Sequence, residues 1–210
     1  KFSITLIESD DIGTVGFGEG TTPVFSSFLK GVGIDENDFH NSIDSTLKIG
    51  IDFQNWSGDG FNYYHDFNIE QPFKKPNIAY HFNHKEVKEY LKTKCIDNIT
   101  HVIGNVVELV RNGENVNLVK TDVGEFECDF LIDCSGVQRL VIGKEYKQKW
   151  ISLSDQLRVN SVVSFSIPNK NPLKKFTHHR TDATTMRYGW LFKIPLTNVE
   201  HFEALSGKGI

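Results

Sequence analysis

The sequence has no apolar run near the roughly 20 residues a membrane helix needs, so no segment of it reads as a bilayer span. It has only three cysteines, Cys95, Cys128 and Cys134, with no CxxC pair. An odd count at those spacings argues against a zinc knuckle or a disulfide framework, leaving a reducing cytoplasm as the expected location. Positive charge is also scarce: 23 Lys and Arg against 27 Asp and Glu give a net charge of -4. The basic residues are scattered, which speaks against a nucleic-acid partner. No internal repeat or low-complexity tract is present. No basic region followed by an apolar core precedes the first strand-like run, so no signal peptide is expected. The opening at Lys1, without Met and in mid-pattern, reads as a truncated sequence.

What remains is ordinary globular composition, 39% hydrophobic and 24% charged, in a chain of 210 residues. That length suits one large domain or one and a half. Residues 2–8 alternate, are rich in β-branched and apolar types, and end on Glu8, which predicts a strand. A glycine-rich stretch, Gly16-Phe-Gly18-Glu19-Gly20, follows it. Thr21-Thr22-Pro23 then supplies an N-cap and first-turn proline for a helix with Val24, Phe25, Phe28 and Leu29 on its apolar side. Asp35–Leu47 holds a second short helix. Leu47, Ile49, Ile51 and Phe53 predict one face of a strand, with Lys48, Gly50 and Asp52 on the other. Residues 58–77 read as an irregular excursion and 84–95 as a helix with Val87, Tyr90, Leu91 and Cys95 in one stripe. Runs at 101–110, 115–121 and 125–134, broken by Asn112-Gly113 and Val123-Gly124, predict a β-meander ending in the sharp Asp133-Cys-Ser-Gly136. Residues 159–167 and 187–196 read as further strands. The sum is an α/β or α+β domain.

Several residues invite chemistry and each has a plainer reading. Glu8 suits a ribose hydroxyl, because a carboxylate accepts from two donors, or it is an ordinary strand-end acid. The glycine stretch suits a strap over a ligand better than a phosphate loop, since Glu19 would repel a phosphate; a plain turn is the alternative. Lys48 is either solvated or, if its face is enclosed, an amine of lowered pKa beside a glycine that leaves room for it or for a ligand. His81 and His84 lack a convincing third metal ligand, His178-His179 reads as solvated, and no metal is expected. Trp190, Phe192 and Ile194 alternate before Pro195, as a packed face or as an aromatic wall.

Taken in order, Ile7-Glu8-Ser9, Val15-Gly-Phe-Gly-Glu-Gly-Thr-Thr-Pro23, Leu47-Lys-Ile-Gly-Ile-Asp-Phe53 with Asn55-Trp56, Asp133-Cys-Ser-Gly136 and Trp190-Leu-Phe-Lys-Ile-Pro195 resemble the flavin-dependent tryptophan halogenases. The resemblance runs from residue 2 to about 197. It implies an α/β, flavin-monooxygenase-like FAD-binding fold with an inserted β-meander and a mixed substrate-side sheet. Residues 2–150 would be mainly the flavin-binding part and 151–210 the start of the substrate side. It implies FAD, reduced by a separate flavin reductase, with chloride, bromide or iodide as co-substrate and an indole-like aromatic as acceptor. Glu8 would hold ribose, Gly18, Glu19 and Gly20 would form the strap, Val106 would follow the segment meeting adenine, and Asp133 and Gly136 would approach the flavin. Lys48 would be the catalytic amine receiving hypohalous acid, either hydrogen-bonding the oxidant or carrying the halogen as a haloamine, with Trp190, Phe192 and Pro195 on the substrate side.

Three departures qualify these expectations. Phe192 stands where the family has a second tryptophan, which weakens tryptophan itself as the substrate. No Gly-x-Gly-x-x-Gly occurs in the sequence, so FAD binding by these residues alone is expected to be weak. The late segment carrying the family's acid is only faintly matched by residues 201–210, where Ser206 and Lys208 replace the expected acid and threonine and Glu203 is the nearest acid. A flavin hydroxylase or epoxidase of the same fold, and a non-catalytic flavin-fold piece, are the rival readings. Oligomeric state is left open, a homo-oligomer included.

Overall fold

The computed structural model describes residues 2–13, 19–68, 77–157, 159–174 and 178–207. Gly16 and Gly18 of the expected strap lie outside them. The chain forms two compact units, one of Lys1–Thr14 with Lys94–Leu153 and one of Val15–Thr93 with Ser154–Ile210. Residues 15–93 thus group with the segment after 153.

In the first unit, β1 (Thr5–Glu8) pairs in parallel with β5 (Thr100–Ile103), Glu8 opposite Ile103. A separate meander joins β6 (Val106–Asn112), β7 (Asn115–Thr121) and β8 (Glu125–Glu127). The run expected as one strand over 101–110 thus belongs to two sheets. It breaks at Gly104-Asn105, where a Cβ on Gly104 would meet a Val123 methyl at 2.7 Å and the Asp122 carboxylate at 2.9 Å. Asn105 fixes the corner by donating to Asp11 and Asp122 and accepting from Ser9. The run expected over 125–134 ends as ladder at Glu127. Phe130 and Ile132 keep the alternation of a strand but stand 82% and 75% exposed, and pattern without a partner strand makes no ladder.

In the second unit, α1 (Val24–Gly31), α2 (Glu36–Ser42) and α3 (His84–Cys95) enclose a small apolar core. Leu29, Phe39, Ile43, Val87 and Tyr90 form it, with Phe25, Ile34, Phe82 and Leu91 packed around. The Phe39 ring sits edge-on to Tyr80, Phe82 and Tyr90, the geometry aromatic quadrupoles favour. Asp35 caps α2 by accepting from the Asp38 amide. Thr22 does not cap α1: Pro23 takes the cap position with no side-chain bond. Of the expected apolar side of α1, Leu29 is buried whereas Val24 and Phe28 face solvent.

The rest of this unit is a seven-stranded sheet in the order β3–β2–β10–β11–β12–β9, with β4 also pairing β2. Its strands are β2 (Ser45–Gln54), β3 (Asn62–Asp66), β4 (Ala79–Phe82), β9 (Val159–Pro168), β10 (His178–Met186), β11 (Gly189–Pro195) and β12 (Val199–Gly207). β3 lies inside the stretch expected to be irregular. β10 and β12 carry no apolar alternation that would announce them.

Candidate functional site

β2 and β10 run parallel, with Lys48 opposite His179 but Arg180 opposite Gly50. Ile49 is therefore an extra residue, a β-bulge that breaks the period of two. Side chains alternate along β10, so His179 and Thr181 share a face, and Lys48 joins that face together with Ile51, the partner of Thr181. The expectation that Lys48, Gly50 and Asp52 lie together is corrected by this one residue. Gly50 has its own reason to be glycine, and it is not space for the amine or a ligand: a Cβ there would collide with the His65 carbonyl of β3.

Lys48 is 6% exposed, which removes the solvated reading. Thr46, two residues earlier, is fully buried; its hydroxyl donates to the Pro195 carbonyl at 2.6 Å and lies 3.2 Å from His81 Nδ1. The other ring nitrogen of His81 lies 2.8 Å from the Thr181 hydroxyl. His81 is fully buried, and burial, with Lys48 and His179 nearby, holds it well below the usual histidine pKa. Gly20 bridges to His81, and a Cβ on Gly20 would stand 3.1 Å from Lys48 Nζ and 3.7 Å from the Thr181 hydroxyl. The Phe67 ring lies 5.8 Å from Nζ. Among the described residues no carboxylate is within ion-pair reach of Nζ. Desolvation without a counter-ion lowers the amine from 10.5 to about 8.

Along the same face, Ala183 lies opposite both Phe53 and Phe192, and Thr185 opposite Trp190. Phe53, Trp56, Trp190 and Phe192 form a continuous aromatic row with centroid separations of 5.7, 5.8 and 6.3 Å. Trp56 is fixed by its indole N–H donating to the Ala183 carbonyl at 2.7 Å. The Trp190 N–H is buried and has no hydrogen-bond partner in the protein. Pro195, at the far end of β11, holds Thr46 through its carbonyl and does not join the row.

Of the other expected residues, Glu19 and Gly20 belong to the Lys48 unit, whereas Glu8, Val106, Asp133 and Gly136 belong to the other unit. Glu8 accepts from His101 Nε2 at 2.8 Å. Val106 opens β6 opposite Thr121. The Asp133 carboxylate accepts from Ser135 and from the Val141 and Ile142 amides, and these bonds hold it below the usual carboxylate range. The turn borders an open cavity of about 670 Å³ lined by Asp133, Gly136, Arg139, Val141, Ile142, Tyr146 and Gln148. Glu203 and Ser206 lie on β12, opposite Phe192 and Gly189; Lys208 is outside the described residues. Thr46, Thr181 and His201 carry no motif that marks them as partners in a site until the sheet brings them together, and His84 is marked only by its metal-like spacing from His81.

The sequence profile of a family described as tryptophan halogenase matches residues 1–76 and 68–202. Among curated relatives, tryptophan 7-halogenase RebH of Lentzea aerocolonigenes is 26% identical over 259 residues, covering 92% of this chain and 48% of the relative. The 7-chloro-L-tryptophan 6-halogenase KtzR of a Kutzneria species is 24% identical, covering 93% and 51%. The chain thus spans about half the length of the curated relatives it matches. The crystal structure of a tryptophan halogenase from Shewanella frigidimarina superposes with a TM-score of 0.86 at 24% identity, over 99% of this chain and 49% of that one. A tryptophan 6-halogenase, SttH, from Streptomyces toxytricini gives 0.87 at 23%, over 98% and 50%. The α/β architecture with several sheets is that of these enzymes.

Proposed function

The chain belongs to the tryptophan halogenase family, and from that premise we propose that it carries the lysine-bearing half of a flavin-dependent halogenase, with Lys48 as the amine that transfers halogen to an electron-rich, indole-like aromatic. The observation that carries the reading is a lysine turned by a bulge onto a sheet face shared with an aromatic row and left there without a counter-ion.

The chemistry follows from the charge state. A free amine reacts with hypohalous acid by forming an N–halogen bond and releasing water. The aromatic carbon then takes the halogen, and its displaced proton restores the N–H. An ammonium has no lone pair for the first step. At pH 7 an amine of pKa about 8 is free in roughly a tenth of molecules, against a few in ten thousand for an ordinary lysine. Burial raises the reactive fraction more than a hundredfold by this reckoning. The row from Phe53 to Phe192 offers flat apolar surface for an aromatic ring, and the Trp190 N–H offers an unused donor beside it.

Reduced FAD, when bound, would supply with O2 and halide the oxidation that makes hypohalous acid, and a flavin reductase is the expected source of the reduced form. Glu8 at the end of a parallel strand, beside Gly104 whose amide donates to the Glu8 carbonyl at 2.9 Å, fits an adenosine end. The cavity at Asp133 and Gly136 fits a second part of the cofactor, and no Gly-x-Gly-x-x-Gly to cradle the pyrophosphate occurs among these 210 residues.

The test uses the full-length enzyme with a flavin reductase, an indole and bromide. Halide-dependent brominated product is expected, and Lys48→Ala should lower its formation by about 10²–10⁴-fold while sparing flavin binding. Hydroxylated product indifferent to halide, or turnover retained by the variant, would overturn the reading.

A further inference from the structure

Apart from Lys48 and its histidine neighbours, the second unit buries another chain of titratable groups. Glu19 is 4% exposed, Glu203 4% and His201 7%. Glu19 Oε1 lies 2.8 Å from His84 Nδ1, at the first residue of α3. Its Oε2 has no hydrogen bond and faces His201 Nδ1 at 3.9 Å, and His201 Nε2 lies 3.8 Å from Glu203 Oε1. Ser164 and Ser166 of β9 meet the two ring nitrogens of His201 at 3.1 and 3.0 Å. A buried carboxylate is a poor stabiliser compared with a packed apolar side chain, and its attested use is to fix one arrangement over others.

What Glu19 fixes is the backbone beside it. The Phe82 amide donates to the Glu19 carbonyl and the Thr21 amide to the Tyr80 carbonyl, both at 2.8 Å, so residues 19–21 lie along β4. The Glu19 side chain then ties that segment to α3 and β12. Gly20, in the middle, covers the Lys48 amine so closely that a single added carbon would stand 3.1 Å from Nζ and 3.5 Å from the His81 ring. The groups facing Nζ are His81 from β4, His179 and Thr181 from β10, the Phe67 ring and the Gly20 backbone.

We propose that Glu19, His84, His201 and Glu203 form a latch that holds Gly20 over the Lys48 amine and keeps water from it, so that Glu19 and His84 are positioning residues for that amine. The proposal rests on Lys48 being the working amine. It makes Glu19, whose carboxylate is buried and engaged with His84, a clamp on the segment that covers the lysine.

The experiment measures the amine itself, on the 210-residue chain and without turnover. Lys48 acylation by acetic anhydride is followed by mass spectrometry across pH, and the midpoint of the profile reports the amine's pKa independently of the plateau rate. A wild-type midpoint near 8 is expected. Glu19→Ala should raise it by about one pH unit or more, because an unlatched segment admits water. Glu19→Gln keeps an acceptor for His84 and should stay near wild type. His84→Ala should move it upward by less than Glu19→Ala, since Glu19 retains His201. A Glu19→Ala chain with an unchanged circular dichroism spectrum and a wild-type midpoint would overturn the latch, as would equal shifts in the Ala and Gln variants. If Glu19→Ala fails to fold, the half-buried His84 carries the test, and an unmoved His84→Ala midpoint overturns it. A wild-type midpoint at the ordinary lysine value would instead sink the reading of Lys48 on which the latch rests.

Discussion

The two units bury very different amounts of themselves. The Lys48 unit holds nearly every buried residue, including the Leu29–Phe39–Tyr90 core, whereas in the other unit only Val116, Val119 and Thr121 among the described residues are buried. That unit instead exposes Phe130, Ile132, Val137, Trp150 and Ile151. Its two-stranded parallel sheet leaves Leu6 and Ile103 half in solvent, although parallel sheets are ordinarily covered on both faces. The contrast teaches where self-sufficiency lies. The seven-stranded sheet and its helices build a lysine site from their own contacts, whereas the smaller unit has the pattern of a core without enough partners to close one.

The strongest way to break this comparison is to remove packing from each side. Phe39 is fully buried and meets Phe25, Tyr80, Phe82 and Tyr90 edge-on or tilted. Phe39→Ala should cost about 3–5 kcal/mol of unfolding free energy, the range for an aromatic cavity that cannot collapse. Urea denaturation followed by the circular dichroism of the Lys48 unit measures it. A loss below about 1 kcal/mol would mean that the helical core does not carry this unit.

A smaller effect is expected from cofactor. If the exposed unit were completed by FAD alone, adding FAD to the 210 residues would stabilise them strongly through binding linkage. With no glycine turn for the pyrophosphate, a stabilisation under about 1 kcal/mol at 100 μM FAD is expected, together with little change in flavin fluorescence. Tight stoichiometric binding would show that Glu8 and the Asp133 turn suffice, and the contrast between the units would then be one of ligation.

Much of the architecture was legible from the sequence because its strands and helices obey simple periods. β1, α3, β7, β9 and β11 stand where alternation or a helical stripe predicts them. The losses have particular causes. β10 reads His-His-Arg-Thr-Asp-Ala-Thr-Thr-Met, and on its inward face Ala183 is flanked by the hydroxyls of Thr181 and Thr185, so no apolar alternation marks it. β12 turns His201 and Glu203 inward, which inverts the usual rule. The strand carrying Lys48 stands where alternation predicts it, but Lys48 does not share a face with Gly50 and Asp52, because a one-residue bulge is invisible to a period of two. Its burial also runs against the pattern: Thr46, Lys48 and Gly50 are more buried than Leu47, Ile49 and Ile51. The association of the latch residues is hidden for a different reason. Glu19, His84 and His201 are far apart in sequence, and only the pairing of residues 19–21 with β4 and of β11 with β12 brings them within reach.

The smallest expected effect tests the exposed unit directly. Ile132 keeps the alternating place of a strand residue yet is 75% exposed. A side chain that buries nothing on folding contributes little by burial, so Ile132→Ser should change the unfolding free energy by less than about 0.5 kcal/mol. The same substitution should reduce binding of an apolar dye such as ANS, because it removes exposed apolar surface. If Ile132→Ser instead destabilised the chain by more than about 2 kcal/mol, Ile132 would be buried in solution. The unit containing it would then be better closed than its surface indicates, and the division between a self-sufficient lysine unit and an unfinished neighbour would fail at its weaker side.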